Sequence, residues 1–401
     1  MQVVRTVTAN VGRMPKISVE GFGRCFYWFS VIKFRTMIDF RDDHWENFLG
    51  SLPYDMNATL VEILLSKFTI SMKNFPKVEL HVHLDGAIRH STIVDIAKQK
   101  NIGLPSMEVE KLREFVVTQE PMSLDTMLKD FEIFTPVLIG DPDAIERVAY
   151  EFCETQKQNN VLYTEVRYSP HLLSNTAKNS YWPDVGPYKG KGEVTPEKVV
   201  MAVNEGLRKG QPWSEEVVHM CEKFKKDGVV GIDQAGANVT FTPHEAKIFQ
   251  MAKTRGIHRT VHAGEVGTAD NVKQAIEQLQ VERIGHGYRV LQDESIYELA
   301  KNGGYHFELC PLSSIVSGSV VSDWSTHPVR RFLKDQLNFS INTDDPTILD
   351  NNMCSEFEIC KDKLGFTETD LHFATCNAAR SSFLETDEKE QLLSNIKKQW
   401  F

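Results

Sequence analysis

The chain has 401 residues, 41% of them hydrophobic and 25% charged, with a formal net charge of −10. That is the composition of a soluble globular protein, long enough for one large domain or two ordinary ones. The acidic balance, with a pI near 5.8, argues against a nucleic-acid or anionic-membrane partner held by charge, since phosphate binding needs a basic surface, and favours a small molecule.

Seven cysteines (Cys25, Cys153, Cys221, Cys310, Cys354, Cys360, Cys376) are scattered with no C-x-x-C pair. Neither a disulfide framework nor a cysteine metal cage is indicated, and a cytoplasmic setting is expected. No run reaches the roughly 18 uncharged apolar residues of a membrane span, and the N-terminal residues lack the apolar core and cleavage site of a signal peptide.

Residues 1–74 carry aromatic clusters such as Phe26-Tyr27-Trp28-Phe29 and a helix-like stretch over 56–68, but no catalytic pattern. They read as an N-terminal extension of unknown role. From Lys77 onward, short β-rich runs alternate with helical patterns, which predicts parallel βα units in residues 75–401, as an α/β barrel or a doubly wound sheet. The predicted strands are Val78–Leu84, Val161–Arg167, Val229–Asp233, His258–His262, Arg283–His286, Tyr305–Cys310 and Asn338–Asn342. Helices are expected at about 196–209, 214–227 and from Thr242-Pro243-His244-Glu245, which offers an N-cap, a first-turn proline and a capping-box glutamate. The two helices flanking Gly210-Gln211 have no strand between them, which is irregular for a βα repeat.

Four clusters carry chemistry. In VELHVHLDG, period-two alternation sends His81 and His83 to one face of a strand and Val82 to the other. His262-Ala263-Gly264-Glu265 ends another β run, and Gly285-His286-Gly287 a third. Asn342-Thr343-Asp344-Asp345-Pro346 follows the last. Each is by itself open to a structural reading, as paired histidines on a strand are often incidental and Asp-Asp-Pro is usually a turn. All four, however, fall where a parallel barrel places its active site, at the C-terminal ends of its strands. Three imidazoles and a carboxylate suit Zn²⁺ and leave a position for water, whose pKa then falls toward about 7. Glu265 and His286 are the candidates for the protonatable group beside it.

The segments PKVELHVHLDG (76–86), YTEVRYSPHLL (163–173), HRTVHAGEVG (258–267), ERIGHGY (282–288) and INTDDP (341–346) together resemble the adenosine deaminase family over roughly residues 75–401. The resemblance implies a (β/α)8 barrel of the TIM type with one Zn²⁺ per chain held by His81, His83, His262 and Asp344. It implies Glu265 as the acid that protonates the purine ring and His286 as partner of the attacking hydroxide. His83 also borders the substrate in this scheme, Asp345 and Gly236 hold the purine nitrogens, and Asp85 holds the ribose hydroxyl. Leu124, Met127 and Phe131, spaced as on one helix face, match an apolar substrate lid, although spacing alone reads them as core. The implied reaction is hydrolysis of adenosine and deoxyadenosine to inosine and deoxyinosine with release of ammonia. A cell-surface protein partner is implied by the resemblance alone.

The pattern departs from the family in three places. The join at Gly210-Gln211 skips the third barrel strand and a histidine-bearing loop, Ala237-Asn238 stands where acidic residues are usual, and Leu312 replaces a tryptophan after Cys310-Pro311. A competing reading is therefore an impaired splice variant or paralogue that binds zinc, purine or a protein partner without turnover. The other zinc deaminase pattern, H-x-E with P-C-x-x-C, is a poor fit, since His44-Trp45-Glu46 has no such partner.

Overall fold

A computed structural model describes residues 2–8, 71–175, 194–210, 229–236 and 241–400. The aromatic tract at 26–29, the stretch 56–68, the helix expected at 214–227 and Ala237-Asn238 lie outside the described residues. The chain divides into two compact units, Met1–Asn10 with Met72–Phe401, and Val11–Ser71.

The first unit is built on eight strands: β1 Gln2–Thr8, β2 Lys77–His83, β3 Val161–Tyr168, β4 Val229–Asp233, β5 His258–Ala263, β6 Arg283–His286, β7 His306–Leu309 and β8 Phe339–Ile341. Seven are the strands that the sequence predicts, within a residue or two at each end. They lie in the order β2-β3-β1-β4-β5-β6-β7-β8. Every neighbouring pair is parallel except those of β1, which is antiparallel to both β3 and β4. Beyond β8, Asp344 bridges back to β2: His83 N–H donates to Asp344 O at 2.9 Å and Asp344 N–H to His81 O at 3.2 Å. The architecture is a TIM-type α/β barrel. Among the described residues no strand falls between β3 and β4 in chain order, and the place is occupied by residues 2–8, which the sequence assigns to the extension.

Alternation along the strands sorts side chains between helices and interior. Val82 of β2 and Val166 of β3 pack with Ile93, Val148 and Val203 of the helices His90–Lys100, Pro142–Gln158 and Pro196–Gly210. Val261, Ile284, Phe307 and Phe339 join a second apolar cluster. The opposite faces carry His81, Glu165, Arg167, Thr260, His262, Arg283, His306 and Glu308, all buried. Many TIM barrels fill this space with layers of branched apolar side chains, whereas here it holds a charged network.

Helix starts follow their chemistry. Asp141 accepts from the Asp143 and Ala144 amides, both at 3.0 Å, ahead of Pro142, and Glu245 reaches back to the Thr242 amide at 2.9 Å, as the capping-box pattern predicts.

Candidate active site

The site grows from the C-terminal end of β2. His81 and His83, two residues apart, share the interior face, and Nε2 of each lies close to Asp344 Oδ1, at 3.1 and 3.2 Å. His262, the penultimate residue of β5, comes alongside, its ring centroid 4.6 Å from that of His81 and 5.3 Å from that of His83. One donor atom from each of His81, His83, His262 and Asp344 lies within 4.8 Å of all the others, and all four residues are buried. His81, His286, Cys310 and Asp344 satisfy the same distance condition.

Two features make the first set fit a metal ion. His81 Nε2 is buried and aimed at the cluster, yet makes no hydrogen bond among the described residues despite its closeness to Asp344, so its lone pair is available to a ligand. The remote nitrogens of two of the histidines are held by carboxylates: His81 Nδ1 donates to Glu308 Oε2 at 2.8 Å and His262 Nδ1 to Asp233 Oδ1 at 3.2 Å. That arrangement fixes the tautomer that presents Nε2 inward and raises its basicity. Ser313 Oγ donates to Asp344 Oδ2 at 2.7 Å, steadying the carboxylate.

The supporting carboxylates belong to the interior network. Glu308 also accepts from Arg167 at 2.7 Å, Arg283 at 2.7 Å and Thr260 at 3.0 Å. Arg167 reaches Asp233 at 3.2 Å, and Arg283 reaches Glu165 at 2.6 Å. Burial opposes charge on Glu308, but the two guanidiniums outweigh it and hold its pKa well below the usual carboxylate range. Glu308, Asp233, Arg167, Arg283 and Ser313 were not singled out in the sequence. For the four charged ones the available signal was a charge on strands that otherwise read as buried; Ser313, on the helix Pro311–Val316, carried none.

His286 departs from strand alternation. Arg283 and Gly285 face the interior, so a regular strand would turn His286 outward, but its backbone adopts φ +60° and the ring enters the site, 4.7 Å from that of His81. Its Nε2 lies 3.6 Å from Glu265 Oε2 and 3.8 Å from Asp344 Oδ2. Asp344 has φ +70°. Two non-glycine residues in the left-handed region at one site mark stored backbone strain. Gly285 makes room, since a Cβ there would lie 3.0 Å from His81 Cε1.

Glu265 is buried, and desolvation, with the Asp344 charge nearby, raises its pKa against the pull of His286. Desolvation also pushes the Asp345 carboxyl well above its ordinary range. Asp85 Oδ1, Asp345 Oδ1 and His286 Nδ1 are buried with no hydrogen-bond partner among the described residues. Leaving such groups unpaired costs about 1–3 kcal/mol each, which a polar ligand would recover.

The lid residues sit on a short helix Leu124–Met127, a 3-10 turn Leu128–Asp130 and a second helix Phe131–Phe134, in place of one continuous helix. Met127 is buried with Val316, Ile348 and Leu349, and Phe131 and Leu312 pack on the same cluster. Backbone hydrogen bonds from Thr118 to Ile348 and from Met122 to Val316 tie the residues just before this segment to the short helices Pro346–Leu349 and Pro311–Val316, which follow β8 and β7. Leu124 is buried as well. Gly236 is exposed three residues beyond β4, with φ +139° and open space where a Cβ would stand.

Residues 76–399 match the family model described as adenosine deaminase. The chain is 44% identical to the adenosine deaminase of Danio rerio over 342 residues, covering 80% of this chain and 94% of that one. It is 41% identical to that of Bos taurus (81% and 94% covered) and 32% identical to that of Clostridium perfringens (82% and 99% covered). Among solved structures it resembles an adenine deaminase from Arthrobacter aurescens, with a TM-score of 0.67 at 24% identity over 80% of this chain and 98% of that one. It also resembles an amidohydrolase from Burkholderia ambifaria with bound Zn, with a TM-score of 0.66 at 23% identity over 82% and 91%. These structural likenesses speak for the fold.

Proposed function

The chain belongs to the adenosine deaminase family, metal-dependent hydrolases that deaminate adenosine, and on that premise we propose which of its side chains do the work. The ion is zinc, one per chain, held by His81, His83, His262 and Asp344. The donor set supports it, since neutral imidazoles and one carboxylate suit Zn²⁺, and the amidohydrolase neighbour was solved with Zn bound. Bound there, zinc acts as a Lewis acid that makes a nucleophile available from water at neutral pH.

The remaining steps belong to side chains. Glu265, whose carboxyl pKa is raised by burial, donates a proton to the purine ring nitrogen next to the amino-bearing carbon, which makes that carbon electrophilic. His286, within 4 Å of both Glu265 and Asp344, hydrogen-bonds the attacking oxygen and stabilises the charge that develops there. Asp345 and Gly236 hold the purine nitrogens, Asp85 takes the ribose hydroxyl, and His83 borders the ring. Leu124, Met127 and Phe131 cover the apolar side. Adenosine and deoxyadenosine are both substrates, and the cytoplasm is the setting.

The observation that carries this reading is the convergence of four ligand-type side chains within 4.8 Å, with Glu265 buried beside them. The test is the fall of adenosine absorbance in the purine band on adding purified chain, with elemental analysis of the dialysed protein. Turnover with one zinc per chain is expected; a zinc-loaded chain that leaves adenosine unchanged would overturn the assignment.

A further inference from the structure

The β3–β4 junction is where this chain departs from a βα repeat. Between Tyr168 and Val229 the described residues hold two helices, Pro170–Leu173 and Pro196–Gly210, and no strand. Two strand edges with unsatisfied backbone groups would result. Instead β1 lies between them, Val3 opposite Tyr168 through Thr8 opposite Tyr163 on one side, and Gln2 opposite Asp233 through Arg5 opposite Val229 on the other.

The insertion has a consequence for the site. Strands separated by one intervening strand stand about 9.6 Å apart, twice the ordinary spacing. Across that gap Arg167 of β3 reaches Asp233 of β4, which accepts from His262 Nδ1. Direct pairing of β3 with β4 would bring them one strand closer and crowd the guanidinium, whereas an open gap would let Asp233 drift out of its reach. Val4 lies opposite Arg167 and Gln2 opposite Asp233, so β1 pairs with both partners of this ion pair.

We propose that residues 2–8 are a working part of the catalytic barrel, a surrogate strand whose antiparallel insertion sets the β3–β4 spacing on which the Arg167–Asp233–His262 relay depends. The strand assignment stands on its own. Only its effect on metal affinity rests on the zinc reading above.

The test uses the full-length chain in two arms. Residues directly opposite in an antiparallel pair have Cα atoms about 4.5–5.5 Å apart, within reach of a disulfide. Val7→Cys with Thr164→Cys is therefore expected to cross-link under mild oxidation, as read by peptide mass mapping, whereas Val3→Cys with Thr164→Cys is not. Cross-linking of the second pair in place of the first, or of neither, overturns the proposal. In the second arm, Val4→Pro removes a ladder N–H from a strand paired on both sides. It is expected to weaken zinc binding at least about tenfold in chelator competition, the loss typical when a group orienting a ligand is disturbed, while Val4→Ile stays close to the parent. A Val4→Pro chain that binds zinc as tightly as the parent overturns the spacer role. Should the parent hold no zinc, the metal reading fails and the cross-link still decides the strand.

Discussion

Glu265 stands three residues beyond His262, buried and 3.6 Å from His286, close to the metal ligands without being one of them in the proposed scheme. Glu265→Gln preserves shape and hydrogen bonding but has no proton to give. It is expected to keep zinc and purine binding and lose about 10²–10⁴-fold in kcat, measured by steady-state kinetics beside metal analysis; normal turnover would assign the acid elsewhere. Gly86 offers a second residue-scale test. A Cβ at that position would lie 1.9 Å from Asp345 Oδ1 and 2.8 Å from Asp345 Cγ, so Gly86→Ala must push the carboxylate aside. Since a misplacement of about 1 Å can cost on the order of 100-fold, kcat/KM for adenosine is expected to fall by at least about tenfold while zinc stays bound. Unchanged kinetics would remove Asp345 from the substrate contacts.

At the scale of the element, the helix Val329–Lys334 carries a titratable start. His327 Nδ1 accepts from the Val329 amide at 3.2 Å, and Nε2 lies 2.8 Å from Ser314 Oγ. Burial, with Arg330 nearby, lowers its pKa to about 4. The folded state thus keeps His327 neutral while the unfolded chain takes a proton near pH 6.5. The contribution is intact above about pH 6.5, is lost as pH falls toward about 4, and amounts to about 3 kcal/mol at full extent. His327→Asn, which keeps an acceptor without titrating, is expected to narrow the gap between urea midpoints at pH 7 and pH 4.5; an unchanged gap would mean that other buried groups carry the acid sensitivity. This contact is not legible in the chain order, because the accepting nitrogen belongs to a histidine before Pro328 and not to a Ser, Thr, Asp or Asn at the N-cap.

At the scale of the whole molecule, the barrel interior is held by two guanidiniums facing Glu165, Asp233 and Glu308. Removing one partner of a buried pair leaves uncompensated charge and costs about 3–5 kcal/mol. Glu308→Gln is therefore expected to lower unfolding free energy by about that amount in urea titration and, through His81, to weaken zinc binding. Loss of stability with unaltered zinc affinity would show that His81 does not need its carboxylate. Metal removal acts on the whole fold as well: at free zinc 1,000 times its dissociation constant the bound ion adds about 4 kcal/mol. Chelation is expected to lower the melting temperature accordingly, and no shift would mean that the cluster does not hold zinc in the folded state.

Which side chains gather at the candidate site was largely legible from the amino acids alone. The pairing of His81 with His83 follows from period-two alternation, and His262, Glu265, His286, Asp344 and Asp345 follow from their places at strand ends. Seven strands were readable from β-branched runs between helical patterns. What the sequence could not disclose is which distant residues meet. Glu308 lies 227 residues from the His81 that it orients, and Asp233 lies 29 from His262; such pairs leave no periodicity because the sheet, and not the local chain, brings them together. The inward turn of His286 depends on one backbone angle. Residues 2–8, QVVRTVT, have the β-branched content of a strand, but nothing local says where such a strand pairs. Its place between β3 and β4 was decided by tertiary structure, because two open edges separated by one strand's width are satisfied by whichever segment of the chain can reach them.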